Sequence, residues 1–223
     1  MPGPLRSAHV AFVHTSPVHV ETFGRLMAAA DPRVTLEHVV IESLLTDAQR
    51  VGADDAALVE RVQRAMVDAA ANGASIVVCT CSTVGGAAER TPTGGRFAAM
   101  RIDRAMADAA VQRGPRVCLV AALDSTLAPT ARLVEESAVA MHAPVDIQTL
   151  LVPSAWSHFL AGDGSAYIDA IVACVRAAPP AADVIVLAQA SMAPAAARLQ
   201  GPGIVVLSSP QTGVQRIIER LSA

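Results

Sequence analysis

The sequence contains no lysine, and arginine supplies all 17 of its basic residues. Without a lysine there is no amine to form a Schiff base, which excludes ordinary pyridoxal-phosphate chemistry. Aromatic residues make up only 3% of the chain, and charged residues 17%. The formal net charge of -3 offers no polycationic face, so no nucleic-acid partner is expected. No apolar stretch reaches the roughly 20 residues that a membrane helix needs, and no membrane partner is expected either. The opening residues, MPGPLRSAHVAFVHTS, lack the plan of a signal peptide, so a cytoplasmic chain is expected. Four cysteines (Cys79, Cys81, Cys118 and Cys174) show no paired spacing and suit a reducing compartment. Cys79 and Cys81 stand two apart with no further Cys or His at ligand spacing, which argues against zinc and leaves no metal expected. Neither GxGxxG nor GxxxxGKS/T occurs, so the sequence carries no nucleotide-phosphate loop.

What is present is an Ala/Val/Leu-rich chain of 223 residues, 52% hydrophobic, long enough for one large domain or two intimate lobes. Short Val/Ile/Leu runs alternate with longer Ala/Arg/Glu stretches of helical period, which reads as repeated βα units on parallel sheet. The expected strands are His9–Val13, Thr35–Ile41, Ser75–Val78, Phe97–Ile102, Arg116–Ala121, Val145–Val152, Val184–Leu187 and Ile204–Leu207. Expected helices include Asp54–Ala71, Arg104–Arg113, Ala128–Met141, Ala166–Ala177 and Gln211–Leu221. The strand runs are too continuously apolar to be one-sided, as expected where helices cover both faces of a sheet.

A weak internal duplication runs through the chain. VAFVHTSP and CLVAALDST are each a strand followed by a polar turn, as are SIVVCTCST and VIVLAQASM, and the spacing from His14 to Cys81 nearly matches that from Asp124 to Gln189. The fold class expected is therefore α/β: two pseudo-symmetric lobes, each a short, mostly parallel sheet flanked by helices. The four turns fall at the carboxyl ends of strands, where parallel sheets place their ligand crevices, so the active site is expected in the cleft between the lobes.

In SIVVCTCSTVGG an apolar strand ends in a cysteine, two hydroxyls and two glycines. A cysteine between a strand and the next helix meets oriented backbone N–H groups and the positive end of a helix dipole, both of which favour thiolate. Ser82, Thr83 and the backbone near Gly85 and Gly86 would supply donors for a carboxylate. The plain alternative is that Cys81 fills a buried position as a small apolar residue; that reading is preferred for Cys79, Cys118 and Cys174. AALDSTLAPT sets Asp124, Ser125 and Thr126 where a strand gives way to a helix, positions that suit N-capping, ligand contact or both. VHTSPVHVETF places His14, Thr15 and Ser16 similarly, with His14 either structural or facing the cleft. In RIDRAM, Asp103 reads as a helix cap, while Arg101 or Arg104 is available to a second substrate carboxylate.

The ordered set VHTSP, HVVIESLL, VVCTCSTVGG, RIDRAM, AALDSTLAPT, VIVLAQASMA and IVVLSSPQTGV resembles the aspartate/glutamate/hydantoin racemase superfamily over nearly the whole chain. The resemblance implies two pseudo-symmetric α/β lobes, residues 1–93 with 201–223 and residues 94–200. It also implies an enzyme that needs no cofactor and uses one cysteine per lobe as acid and base on either face of a carbon next to a carboxylate. The first cysteine maps onto Cys81. The second maps onto Gln189, which offers hydrogen bonds but exchanges no proton near neutral pH. Relatives with altered cysteine pairs widen what is implied. Decarboxylases of the superfamily keep a single cysteine, in the second lobe, and maleate isomerases use a first-lobe cysteine that matches Cys81 as nucleophile.

The expected function is a cofactor-independent isomerase or racemase acting next to the carboxylate of a small acid. Cys81 would be the acid/base or nucleophile, with Asp124 or His14 as a second acid/base. Thr15, Ser16, Ser82, Thr83, Ser125, Thr126, Gln189, Ala190 and Ser191 would hold the substrate. Decarboxylation, cis–trans isomerisation of a dicarboxylate and non-catalytic binding of a small acid are the alternatives. A homo-oligomer is compatible with all of them.

Overall fold

A computed structural model describes residues 8–201, 203 and 205–223. The first residue of the last expected strand, Ile204, lies outside the described residues, as do the first seven residues of the chain. The described residues form eight strands: β1 (His9–His14), β2 (Thr35–Val40), β3 (Ile76–Cys79), β4 (Ala98–Arg101), β5 (Arg116–Ala121), β6 (Asp146–Leu151), β7 (Val184–Leu187) and β8 (Val205–Ser208). Between them run the helices α1 (Val18–Ala30), α2 (Ser43–Val51), α3 (Ala56–Ala69), α4 (Gly85–Glu89), α5 (Arg104–Arg113), α6 (Leu127–Ala140), α7 (Pro153–Leu160), α8 (Gly164–Ala177), α9 (Ala193–Leu199) and α10 (Ser209–Ser222).

The strands make two four-stranded parallel sheets, ordered β2-β1-β3-β4 and β6-β5-β7-β8. The second order repeats the first strand for strand. The chain divides into two compact units, residues up to Ile102 with Gly213–Ala223, and Asp103–Thr212. Both junctions fall later than Thr93 and Gly201, the points expected from the resemblance. The strand pairing explains why: β4 bonds to β3 and so belongs with the first sheet, and β8 bonds to β7 and so belongs with the second.

In the first unit, alternate residues of the central strands (Ala11, Val13, Val77 and Cys79) pack on Leu44 of α2, Leu58, Val62 and Met66 of α3, and Ala87 and Ala88 of α4. The intervening Phe12 points to the other face, where its ring stacks on Phe23 of α1 with centroids 5.3 Å apart. In the second unit Cys118, Val120, Ile185 and Leu187 pack with α7, α8 and α9, while Val117, Leu119, Val184 and Val186 pack with α5 and α6. A side-chain period of two thus feeds two cores, which is why the central strands read as unbroken apolar runs. The edge strands β2 and β6 are partly exposed and correspondingly more polar.

Local chemistry fixes several helix ends. The Asp55 carboxylate accepts the Leu58 N–H (3.0 Å) at the start of α3, and Asp163 accepts the Ala166 N–H (2.9 Å) at the start of α8. Gly213, in α10, must be glycine because a Cβ there would run into the Ile102 carbonyl oxygen. In a sheet ordered 2-1-3-4 the chain leaves β1 for one side and returns to β3 on the other. The carboxyl ends of β1 and β3, and likewise of β5 and β7, are therefore the points at which such a sheet opens a crevice.

Candidate active site

In the first unit β1 and β3 lie side by side, with Val13 opposite Cys79. The segments leaving them are His14–Ser16 and Thr80–Gly86. The Thr80 N–H donates to the Val13 carbonyl at 3.0 Å. Thr80 Oγ1 lies 2.8 Å from His14 Nδ1, and His14 Nε2 lies 2.9 Å from Nδ1 of His38 on β2. Thr80 Oγ1 also donates to the Val13 carbonyl at 3.4 Å. With the hydroxyl donating there, its lone pairs accept the His14 Nδ1–H, and His14 Nε2 then accepts from His38. The ring of His14 stacks between Phe12, Phe23 and His38. Burial, followed by repulsion from His38 and His19, lowers the His14 pKa to about 3, and burial lowers that of His19 to about 4. His14 is thus neutral near pH 7 and braces Thr80. Of the two readings of His14, its environment fits the structural one: it is completely buried and both ring nitrogens are engaged.

Cys81 follows Thr80 directly. It is a free thiol, 9% exposed, set against the apolar cluster that includes Leu44, Val84 and Ala87. The next residue, Ser82, is buried, and its hydroxyl has no hydrogen-bond partner among the described residues. A buried hydroxyl left unpaired costs about 1–3 kcal/mol, so Ser82 is a group suited to a further hydrogen bond beside the thiol. Thr83 and Thr15 are buried as well, while Ser16 is partly exposed. Pro17 rather than Ser16 precedes the first residue of α1, and no side chain caps that helix.

In the second unit the turn after β5 forms a single 3₁₀ turn at Asp124–Thr126, and the turn after β7 forms its counterpart at Ala190–Met192. Each leads straight into a helix, α6 and α9 respectively. Gln189 Oε1 accepts the Ala122 N–H at 2.7 Å, which ties the two turns together. That bond fixes which end of the amide is which and leaves the Nε2 hydrogens as its donors. The Ser191 hydroxyl is bonded to the Tyr167 hydroxyl of α8 at 2.9 Å. Tyr167 is buried, and burial pushes its pKa up to about 12, so it stays protonated. Thr126 and Ala190 are buried. The Ser125 hydroxyl is a second buried group with no partner among the described residues, and Asp124 is exposed. Neither Asp124 nor Ser125 caps α6 through its side chain, which removes the simple capping account of DST.

Both arginines singled out from the sequence are engaged by groups of the protein. Arg101 is buried and donates from Nη2 to the Ser82 carbonyl (3.3 Å), while Arg104 pairs with Glu136 (2.7 Å). Asp103 is fully buried but makes no side-chain cap to α5. The sequence reading passed over Thr80, His38 and Tyr167. Tyr167 is the single tyrosine of the chain, which is the only signal the sequence offered for it. Ser209, fully buried at the start of α10 with a hydroxyl that has no partner among the described residues, had no signal at all. Burial pushes the Cys118 thiol up to about 11, as suits an inert core cysteine. Among the described residues no three His, Cys, Asp or Glu side chains gather as a metal site, and no helix is long and apolar enough to cross a membrane.

Two parallel four-stranded units with this strand order define the class to which the structure is similar. Glutamate racemase isoform RacE1 from Bacillus anthracis superimposes with a TM-score of 0.72 over 98% of this chain and 83% of that one, at 12% identity. The aspartate racemase of Picrophilus torridus gives a TM-score of 0.70 over 96% of this chain and 94% of that one, also at 12% identity. Arylmalonate decarboxylase gives 0.56 over 96% and 92%, at 18% identity. No protein-family model and no curated protein matches the sequence. At these identities the likeness is one of fold: the chain has the α/β architecture of the aspartate and glutamate racemases, the group its motifs resemble.

Proposed function

We propose that the chain is a cofactor-independent enzyme that moves a proton at the carbon next to the carboxylate of a small acid, in the manner of a racemase or isomerase. The observation that carries this reading is the pairing, at the carboxyl end of β3, of a slightly exposed thiol with a buried and unpartnered Ser82 hydroxyl.

In this reading the Cys81 thiolate takes the α-proton and becomes a thiol, while the electron pair of the broken C–H bond moves into the carboxylate to give an ene-diolate. Donors from Ser82 and Thr83 hold that growing charge; one well-aimed donor is worth about 3 kcal/mol in comparable sites. In the second unit the Gln189 amide, Ser125, Thr126, Ala190 and Ser191 provide further N–H and O–H groups suited to carboxylate oxygens. Return of a proton to carbon completes the turnover. Asp124, exposed and with no side-chain hydrogen bond among the described residues, is the carboxylate available as a second base, whereas His14 is spent on Thr80 and His38.

Decarboxylation is the second reading, and Gln189 favours it. An amide whose oxygen is taken by Ala122 N–H can hold an anion but cannot supply the second proton-transfer thiol of a racemase. In that case carbon dioxide leaves, the electron pair of the broken C–C bond stays on carbon as the same ene-diolate, and the Cys81 thiol protonates it.

Selective alkylation tests the shared core of both readings. Iodoacetamide near neutral pH should label Cys81 ahead of Cys79, Cys118 and Cys174, and maleate, malonate or glutamate should protect it. Equal or slower labelling of Cys81, with no protection by any of these acids, contradicts the proposal.

A further inference from the structure

Two successive glycines open α4, although each glycine in a helix costs up to about 1 kcal/mol relative to alanine. Backbone conformation does not demand them, since neither has a positive φ. The guanidinium groups beside them, Arg101 at Gly85 and Arg90 at Gly86, account for the bare positions. A Cβ at position 85 would stand 3.0 Å from Nε and 3.2 Å from Cζ of Arg101, while one at position 86 would crowd Nη1 of Arg90 at 3.3 Å and meet Nη1 of Arg101 only in ordinary contact at 3.5 Å. The guanidinium of Arg101, 4% exposed, is laid against bare backbone and donates to the Ser82 carbonyl. Arginine is always cationic and its planar fork suits such a slot, whereas a lysine ammonium would match only a single point of it.

We propose that Arg101 is the positioning residue of the Cys81 turn, and this rests on the reading of Cys81 as the reacting group. The turn is held on both sides of the thiol. Thr80 is tied to His14 and to the Val13 carbonyl, and Ser82 is tied through its carbonyl to Arg101. The Ser82 carbonyl and the Thr83 N–H belong to one planar trans peptide, so drawing the carbonyl toward Arg101 turns the Thr83 N–H the opposite way. The guanidinium also adds a fixed positive charge one residue from Cys81, in a buried setting where salt screens it little. Gly85 is the slot that lets it lie there.

Three variants test this: Arg101→Gln, Arg101→Lys and Gly85→Ala. Two quantities are read, amide hydrogen exchange over residues 80–86 and the ratio of iodoacetate to iodoacetamide rates at Cys81. Arg101→Gln should speed exchange in the turn about tenfold, as expected when a local anchor is lost. It should also lower the rate ratio severalfold, because the anionic reagent loses an attracting charge. Arg101→Lys should restore the ratio but not the exchange protection. Gly85→Ala, which keeps the charge and displaces the fork, should loosen the turn, and it decides the matter if Arg101→Gln does not fold. A folded Arg101→Gln protein with unchanged exchange overturns the proposal, as does a loosened turn with an unchanged ratio, which would make Arg101 a structural support only. If Cys81 of the parent protein resists both reagents while Arg101→Gln still loosens the turn, the proposed chemistry of Cys81 fails and the anchoring by Arg101 stands.

Discussion

Cys81 and Gln189 occupy corresponding places, each two residues beyond the end of the third strand of its sheet. One carries an exchangeable proton and the other an oriented amide, and this asymmetry shapes what each substitution should do. Gln189→Glu keeps an oxygen for the Ala122 N–H but sets a negative charge where the account places a carboxylate. Melting should therefore stay close to the parent while KM rises at least tenfold, and an unchanged KM would remove Gln189 from the binding set. Gln189→Ala instead leaves the Ala122 N–H without its partner, at a cost of about 1–3 kcal/mol in chemical denaturation. The loss of stability separates the two effects.

Among the elements, the strands were the most legible part of the sequence. Each expected strand falls within a residue of an observed one, and the central strands were the plainest, because burial on two faces demands near-continuous apolar runs there. The turns carrying Cys81 and Asp124 were equally visible, as polar interruptions at strand ends. What stayed hidden were bonds between distant residues: His14 to Thr80, His14 to His38, Arg101 to Ser82 and Tyr167 to Ser191. These depend on parallel register and on which side chains a strand end brings together, neither of which is written locally. For the same reason RIDRAM did not disclose the partners of its arginines, the Ser82 carbonyl for Arg101 and Glu136 for Arg104. Tyr167→Phe tests one such hidden bond. It should lower stability by about 0.5–1.5 kcal/mol, the net worth of a hydrogen bond, and weaken substrate binding by freeing Ser191 to rotate. If neither stability nor KM moves, Tyr167 is only core.

At the scale of the whole molecule the two units repeat one topology but differ in how they should respond to acid. His14 and His19, both in the first unit, are held at about 3 and about 4 against an ordinary 6.5, chiefly by burial. The unfolded chain therefore takes up protons below pH 6.5 that the folded unit refuses until pH 3–4, and stability must fall as pH drops through that window. The shifted carboxylates Asp31, Asp47 and Asp183 lie below their ordinary 3.8 and act only at lower pH. Hydrogen exchange should show the first sheet losing protection between pH 6.5 and 4 before the second; equal loss in both sheets would contradict this. The central claim, however, is chemical: the Cys81 thiol, just beyond the end of β3, moves protons at a carbon beside a bound carboxylate. The most direct measurement is proton NMR of amino acids, hydantoins, maleate and substituted malonates incubated with the protein in D₂O. The account predicts solvent deuterium at the α-carbon of at least one of these acids, or of its decarboxylated product, with the rate falling about 10²–10⁴-fold in Cys81→Ala. Deuterium entry that survives Cys81→Ala at the parental rate, or none across the panel, would contradict it.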